Sequence, residues 1–406
     1  MRCHHFESGE CRSCTLLGLP HPHQIAAGRS RIEALLAPYA REGMVWQEPI
    51  LGPEAGFRAR AKMAVAGTAQ SPILGLPGQV REGCTADLCD CPLYPGGVEE
   101  VLEGAKALIR RAQVPPYDVA RRRGEIKNVL VTASPDGEHL LRLVLRTTRA
   151  LERIREHLPG LLSAHPSVVA VTANIHPEHT PQVEGEQEIH LAGAESIAVR
   201  TGDVTLFARP QSFLQTNTEV AGELYRQAAT WIAELAEGWE ARTAEVAPGP
   251  PRIWDLYCGL GGLALHAARA VPAAQVTGVE VSAQAITGAR EAARTQQIPA
   301  TFLVEDATSW AIRESAGDGP PQVVIVNPPR RGIGPELAQW LEDSAVPDVI
   351  YSSCNPATLA ADLAAMPSLR IGAGRFVDMF PHTEHAEVIV RLHRRPSAAA
   401  HRARQP

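Results

Sequence analysis

A doubly wound α/β domain preceded by an α+β domain is predicted by three features of this 406-residue chain. Six short apolar runs, Ile253–Leu256, Val276–Glu280, Phe302–Asp306, Val323–Asn327, Val349–Ser352 and Val388–Leu392, alternate with helix-patterned segments. The first of these runs ends in the glycine-rich turn Tyr257-Cys258-Gly259-Leu260-Gly261-Gly262, which opens a helix. Upstream, from about residue 44 to 215, strands joined by turn signals such as Pro135-Asp136-Gly137 predominate.

A hydrophobic fraction of 45% with 21% charged residues is that of a soluble globular chain, long enough for two or three domains. The opening Met1-Arg2-Cys3-His4-His5 carries no leader pattern, and no run is long enough to span a bilayer. A cytoplasmic protein without membrane contact is therefore expected. The net charge of -6 excludes a surface that attracts polyanions as a whole, so nucleic-acid contact needs local basic clusters. Eight cysteines in such a compartment argue for metal binding or catalysis rather than disulfides.

The N-terminal segment, residues 1–43, holds Cys3, Cys11 and Cys14, and the C-x2-C turn of the last two brings a pair of thiolates onto one centre. A fourth ligand is available in a second segment, residues 84–95, from Cys84, Cys89 or Cys91, of which Cys91 precedes a proline. Spacing alone leaves an iron–sulfur cluster and a zinc ion open, and His4 and His5 keep the zinc alternative alive.

Residues 44–215 read as a central α+β RNA-binding domain. It has a hairpin over 128–146, another around Thr201-Gly202-Asp203, and helices near 98–111 and 149–157. Arg58, Arg60 and Lys62 alternate on one strand and so share a face, as a stripe for a nucleic-acid backbone or as a merely solvated face. Arg121, Arg122, Arg123 and Lys127 form a second basic cluster. A helix over 218–237 and a proline-rich insertion over 237–252 make up the stretch 216–252. The catalytic domain occupies 253–393, and a disordered tail 394–406.

In the catalytic domain, the glycine turn lets backbone approach a nucleoside, and Glu280 at the end of the next strand can accept hydrogen bonds from ribose hydroxyls. Gly259, Gly261 and Ala264 also satisfy G-x-G-x-x-A, a weak signal for a dinucleotide-dependent dehydrogenase. Asp255 before the turn and Asn327-Pro328-Pro329 after the fourth strand favour S-adenosylmethionine chemistry on planar nitrogenous rings. Tyr351-Ser352-Ser353-Cys354-Asn355-Pro356 delivers a thiol to a turn at a strand end, where a nucleophile is presented, although a lone cysteine is more often a packed core residue. A non-catalytic RNA-binding protein with a structural metal is the alternative of another class.

These residues resemble the bacterial RNA uracil-C5 methyltransferases, most nearly the branch acting on 23S ribosomal RNA, from Cys3 to about Leu392. The stretches that carry the resemblance are CHHFESGECRSC, DLCDCPLYP, FLQTN, DLYCGLGGL, VNPPRRGIG, IYSSCNPATLA and DMFPHTEHAEV. The resemblance implies a class I S-adenosylmethionine-dependent methyltransferase with a [4Fe-4S] cluster on Cys3, Cys11, Cys14 and Cys91. It implies cofactor contacts from Gln215, Tyr257, Glu280 and Asn327, the nucleophile Cys354 and the base Glu387. The product it implies is 5-methyluridine at uracil 747 of 23S rRNA, and a monomer is expected. Other branches carry aspartate in place of Asn327 and a TRAM domain before the cluster motif, for which this chain leaves no room. Both departures point to the same branch.

The chemistry explains why these residue types recur together. Carbon 5 of uracil is a poor nucleophile until a thiolate adds at carbon 6, and the C5 proton must leave before the sulfur is expelled. Glu387 suits that last task better than Glu384, because it adjoins the final strand and is held by it.

Overall fold

The computed structural model describes residues 1–77, 86–180, 182–239 and 250–395. Cys84, most of the 237–252 insertion and nearly all of the tail lie outside the described residues. The chain forms two compact units: one of Met1–Thr15, Pro53–Arg200 and Phe207–Thr218, the other of Leu16–Gly52, Thr201–Leu206 and the described part of Glu219–Pro406. Among the described residues no helix is long and apolar enough to cross a membrane.

The first unit is built on a six-stranded sheet in the order Pro72–Gly75, Arg60–Gly67, Ile126–Ala133, His139–Leu145, Val168–Ile175, Gln187–Gly193. All neighbours are antiparallel except His139–Leu145 and Val168–Ile175, whose parallel pairing requires a crossover. The helix Leu151–Ala164 supplies that crossover. It buries Leu151, Ile154, Leu158 and Leu161, and the helix Val98–Arg111 buries Val98, Val101, Leu102, Ala105, Leu108 and Ile109, each at helical spacing. Both stripes pack with Val129, Val131, Leu141 and Leu143 in one core. Between those last two leucines, Arg142 points to the opposite sheet face and is fully buried. It donates to both oxygens of Glu188 at 2.9 and 2.7 Å and to Glu184 at 2.5 Å.

The second unit carries an eight-stranded sheet in the order Ala40–Trp46, Leu369–Val377, Glu387–Arg394, Asp348–Ser353, Val323–Val326, Arg252–Leu256, Gln275–Glu280, Ala300–Val304. The five strands from Asp348–Ser353 to Ala300–Val304 are mutually parallel, while Glu387–Arg394 runs antiparallel to both its neighbours. The direction of strand progression reverses at Arg252–Leu256, a switch point that opens a crevice beyond the carboxyl ends of the strands. This is the predicted doubly wound sheet, and the expected strand positions agree within two residues except for two strands the sequence did not announce.

Those two strands change the domain boundaries. The reading that divided residues 16–52 between a cluster segment and the central domain is corrected: this stretch belongs to the second unit. Its helix His21–Leu36 places Ile32 and Leu36 in the core with Ile371 and Val390, and Ala40–Trp46 pairs in parallel with Leu369–Val377. As an edge strand Ala40–Trp46 is largely solvent-facing, so it shows no apolar alternation in sequence. Thr201–Leu206 likewise belongs to the second unit, although the hairpin expected there is present as Ile197–Thr201 and Val204–Ala208.

Candidate active site

The cofactor turn lies at the switch point. Asp255 is fully buried, and its Oδ2 accepts a hydrogen bond from Ala264 N at 2.9 Å, tying the strand to the helix Gly262–Ala270. Its Oδ1 is buried without a partner, and burial pushes the carboxyl up to about 8. Tyr257 adopts φ 67°, a left-handed conformation costly for a non-glycine residue and concentrated at ligand sites. At Gly259, with φ 52°, nothing stands within 4 Å of where a Cβ would be. A Cβ on Gly261 would meet the Phe302 ring at 2.7 Å, and one on Gly262 the Tyr225 ring at 2.5 Å. The three glycines thus divide the work: Gly259 fronts open space, and the other two permit close packing.

Tyr257, Glu280 and Asn327 end or follow three adjacent strands, so the sheet brings them to one edge. Glu280 is fixed by Ser282 N, which donates to its Oε1 at 3.0 Å. Asn327 is half-buried after Val323–Val326. The open cradle at Gly259, the unpartnered Asp255 oxygen and this row of polar ends fit an amino-acid nucleoside. Gln215 belongs to the first unit, where it is buried beside Thr216, whose carbonyl accepts from Ala59 N at 2.7 Å.

Cys354 follows the strand Asp348–Ser353 and is half-buried. Its turn is locked by Ser353 Oγ, which accepts from Asn355 N at 3.1 Å. Asn355 Nδ2 and Thr358 Oγ1 donate to the Arg330 carbonyl at 3.0 and 3.3 Å, so the Asn327-Pro328-Pro329-Arg330 run is anchored to the cysteine turn. Burial raises the Cys354 thiol, and the nearby Glu387 carboxylate raises it further, whereas the Arg330 guanidinium opposes both by charge and by a hydrogen bond.

Glu387 begins the strand Glu387–Arg394 and is 1% exposed. Burial pushes its carboxyl up to about 7, against the pull of a 2.5 Å hydrogen bond donated by Ser352 Oγ. Glu384 and His385 are exposed, while His382 is buried with its backbone N–H on Gln24 Oε1 at 3.0 Å. The structure therefore brings together Cys354 and Glu387 as expected and adds Arg330 and Ser352, to which sequence reading gave no role. Their only signals were adjacency: Arg330 closes Asn-Pro-Pro, and Ser352 stands on the strand two residues before the thiol.

Cys3, Cys11, Cys14 and Cys91 all line one cavity in the first unit, together with Arg58 and Tyr94. Burial raises the thiols of Cys14 and Cys91, to about 12 and about 11, and the other cysteines add to each shift. Among the described residues, no three of these sulfurs all lie within 4.8 Å of one another. Cys89 faces elsewhere, toward Asp87 and Lys106. The basic stripe expected on Arg58, Arg60 and Lys62 is not a free face: Arg60 is buried on the Ser212 carbonyl at 3.1 Å and Lys62 pairs with Glu184 at 3.2 Å.

Residues 253–325 match the family described as "Methyltransferase domain", and residues 320–395 the family described as "tRNA (Uracil-5-)-methyltransferase". The chain is 43% identical to the 23S rRNA (uracil(747)-C(5))-methyltransferase RlmC of Shewanella halifaxensis, over 97% of this chain and 99% of that one. It is 42% identical to the protein of the same name from Escherichia coli O127:H6, with the same coverage. Among solved structures, the Pyrococcus abyssi tRNA (uracil-54, C5)-methyltransferase in complex with S-adenosyl-L-homocysteine shares the fold. It superposes with a TM-score of 0.72 at 23% identity, covering 93% of this chain and 85% of that one. Agreement with the curated relatives over nearly the full length of both chains shows that this protein belongs to the family of 23S rRNA (uracil(747)-C(5))-methyltransferases.

Proposed function

We propose that this enzyme converts uridine to 5-methyluridine in 23S ribosomal RNA, at the position equivalent to uracil 747, through a covalent bond to Cys354. The observation that carries the mechanism is the pairing of a half-buried thiol with a fully buried carboxyl, Cys354 beside Glu387, at strand ends next to the cofactor turn. Arg330 favours the Cys354 thiolate, which adds to carbon 6 and makes carbon 5 nucleophilic. S-adenosylmethionine would supply the electrophilic methyl group, and Tyr257, Glu280 and Asn327 would hold it. Glu387 then removes the C5 proton; the electrons of that C–H bond restore the C5=C6 double bond and expel the Cys354 thiolate. A carboxyl that titrates near neutrality is matched to this task.

Cys3, Cys11, Cys14 and Cys91 would hold a [4Fe-4S] cluster, which ties residues 1–15 to the segment around Cys91 and adds stability. RNA contact by the first unit is supported by a cavity lined by Tyr117, Lys127 and His179, with the Lys127 ammonium 4.8 Å from the Tyr117 ring centre. Because target bases must leave the stack to reach a thiol, a loop or single-stranded uridine is the expected substrate.

The test is methylation of a 23S rRNA fragment by the purified enzyme, with nucleoside mass spectrometry and a U747C control. 5-Methyluridine in the natural fragment and none in the control is the expected result; methylation of the control at equal yield would overturn the choice of uridine.

A further inference from the structure

Ser352 lies on the strand Asp348–Ser353, where its register partner on the antiparallel neighbour is Ile389. Glu387 stands two residues from Ile389 on that neighbour, so the two side chains share a face as diagonal neighbours. Ser352 is 1% exposed and Glu387 1%, and Ser352 Oγ donates to Glu387 Oε1 at 2.5 Å. A hydroxyl so enclosed must find an acceptor, and a carboxylate so enclosed is costly unless a donor meets it. Cys354 follows the end of this strand, two residues beyond Ser352, so the nucleophile sits directly after the element that holds the group gripping the base.

We propose that Ser352 is a positioning residue for the release step, its hydroxyl gripping one Glu387 oxygen and favouring the ionised carboxylate, so that the other oxygen takes the proton from carbon 5. The inference rests on the proposed covalent mechanism. It assigns the two oxygens of Glu387 different duties: Oε1 is anchored, and the remaining oxygen does the chemistry. Other polar groups face Glu387, and among the described residues Ser352 is the one that lowers its carboxyl by a hydrogen bond. The Cys354 thiol lies near it from the same strand end, and in its thiolate form it repels the carboxylate. The Tyr225 phenol of the helix Thr218–Ala236 is also near, with its own ionisation suppressed by burial and by Asp255 and Glu387. Arg330 reaches Cys354 and His385, and Asp378 in the adjoining segment accepts from His21 Nε2 at 2.8 Å. The electron and proton balance of elimination is unchanged; Ser352 sets the population and direction of the base.

The experiment follows covalent enzyme–RNA adduct formation and release as separate rates in single turnover, from pH 6 to 9, for wild type, Ser352→Ala and Ser352→Thr. In Ser352→Ala the midpoint of the release rate rises by about one pH unit, the worth of one charge-assisted hydrogen bond. Release at pH 6 then falls about tenfold, and the deficit vanishes near pH 9. Ser352→Thr, which keeps the hydroxyl, keeps the wild-type midpoint. A deficit in Ser352→Ala that is equal at every pH, or no deficit, overturns the proposal. If Ser352→Ala does not fold, a Ser352→Thr midpoint displaced as far as one unit does the same. Failure of wild type to form any adduct is a different result, because it removes the covalent mechanism itself.

Discussion

The Tyr351 hydroxyl donates to Asp362 Oδ2 at 2.6 Å, and that same oxygen accepts from Ile333 N at 3.1 Å. One buried carboxylate thus clamps the strand that precedes the nucleophile to the loop that carries Arg330. Gly332 is what allows the approach: a Cβ there would stand 2.4 Å from Asp362 Oδ2.

Asp362→Ala should therefore damage stability and chemistry together. Loss of the acceptor leaves the buried Tyr351 hydroxyl and Ile333 N–H unpaired, at a cost of about 2–4 kcal/mol. Thermal unfolding would show a lowered midpoint, and Asp362→Asn, which keeps an acceptor, should lose less. An unchanged melting curve for the alanine variant would contradict the clamp.

Arg330 has a separately measurable effect on the thiol. It is the group that opposes burial and Glu387, so its removal in Arg330→Met must raise the Cys354 pKa. The rate of iodoacetamide labelling at Cys354 against pH should move its midpoint upward. A midpoint that stays in place would remove Arg330 from thiolate stabilisation.

Glu387→Gln should stop turnover after methyl transfer, so that methylated covalent enzyme–RNA accumulates on denaturing gels. The same variant tests the cost of the base. A carboxyl raised from 4.5 to about 7 in the fold is disfavoured when ionised, so its penalty is absent below about pH 4.5, grows as pH rises, and is complete above about 7. Glu387→Gln should be more stable than wild type at pH 8, by on the order of 3 kcal/mol, and the gain should shrink toward pH 5. Denaturant unfolding at the two pH values checks the sign.

The N-terminal cysteines give a prediction that needs no RNA. Anaerobically purified protein should be brown and hold about four irons per chain, in keeping with four thiolate ligands. Cys91→Ser should lose iron and stability, whereas Cys89→Ser, at a thiol turned toward Asp87 and Lys106, should keep its iron. A colourless protein with one zinc would refute the cluster.

The cofactor turn and Cys354 were legible in sequence because each is a local event, an apolar strand that ends in a turn whose residue types cannot serve packing alone. Ser352 and Arg330 were not, since their parts arise from cross-strand and loop-to-loop proximity that no spacing encodes. Leu369–Val377 was hidden by its glycines and arginines, and Ala40–Trp46 by its exposure as an edge. The alternation of Arg58, Arg60 and Lys62 predicted one shared basic face, but in the fold Arg58 lines the cysteine cavity, while Ser212 and Glu184 engage Arg60 and Lys62.

The most direct test of the account is capture of the enzyme on 5-fluorouridine-substituted 23S rRNA fragment in the presence of S-adenosylmethionine. Fluorine on carbon 5 cannot be removed by Glu387 as a proton, so elimination halts and the thioether to carbon 6 persists. Peptide mass spectrometry should find Cys354 bonded to a methylated fluorouracil, and no adduct in Cys354→Ala. Attachment at any other residue, or methylated RNA released without an adduct, would contradict the assignment of Cys354 as the nucleophile.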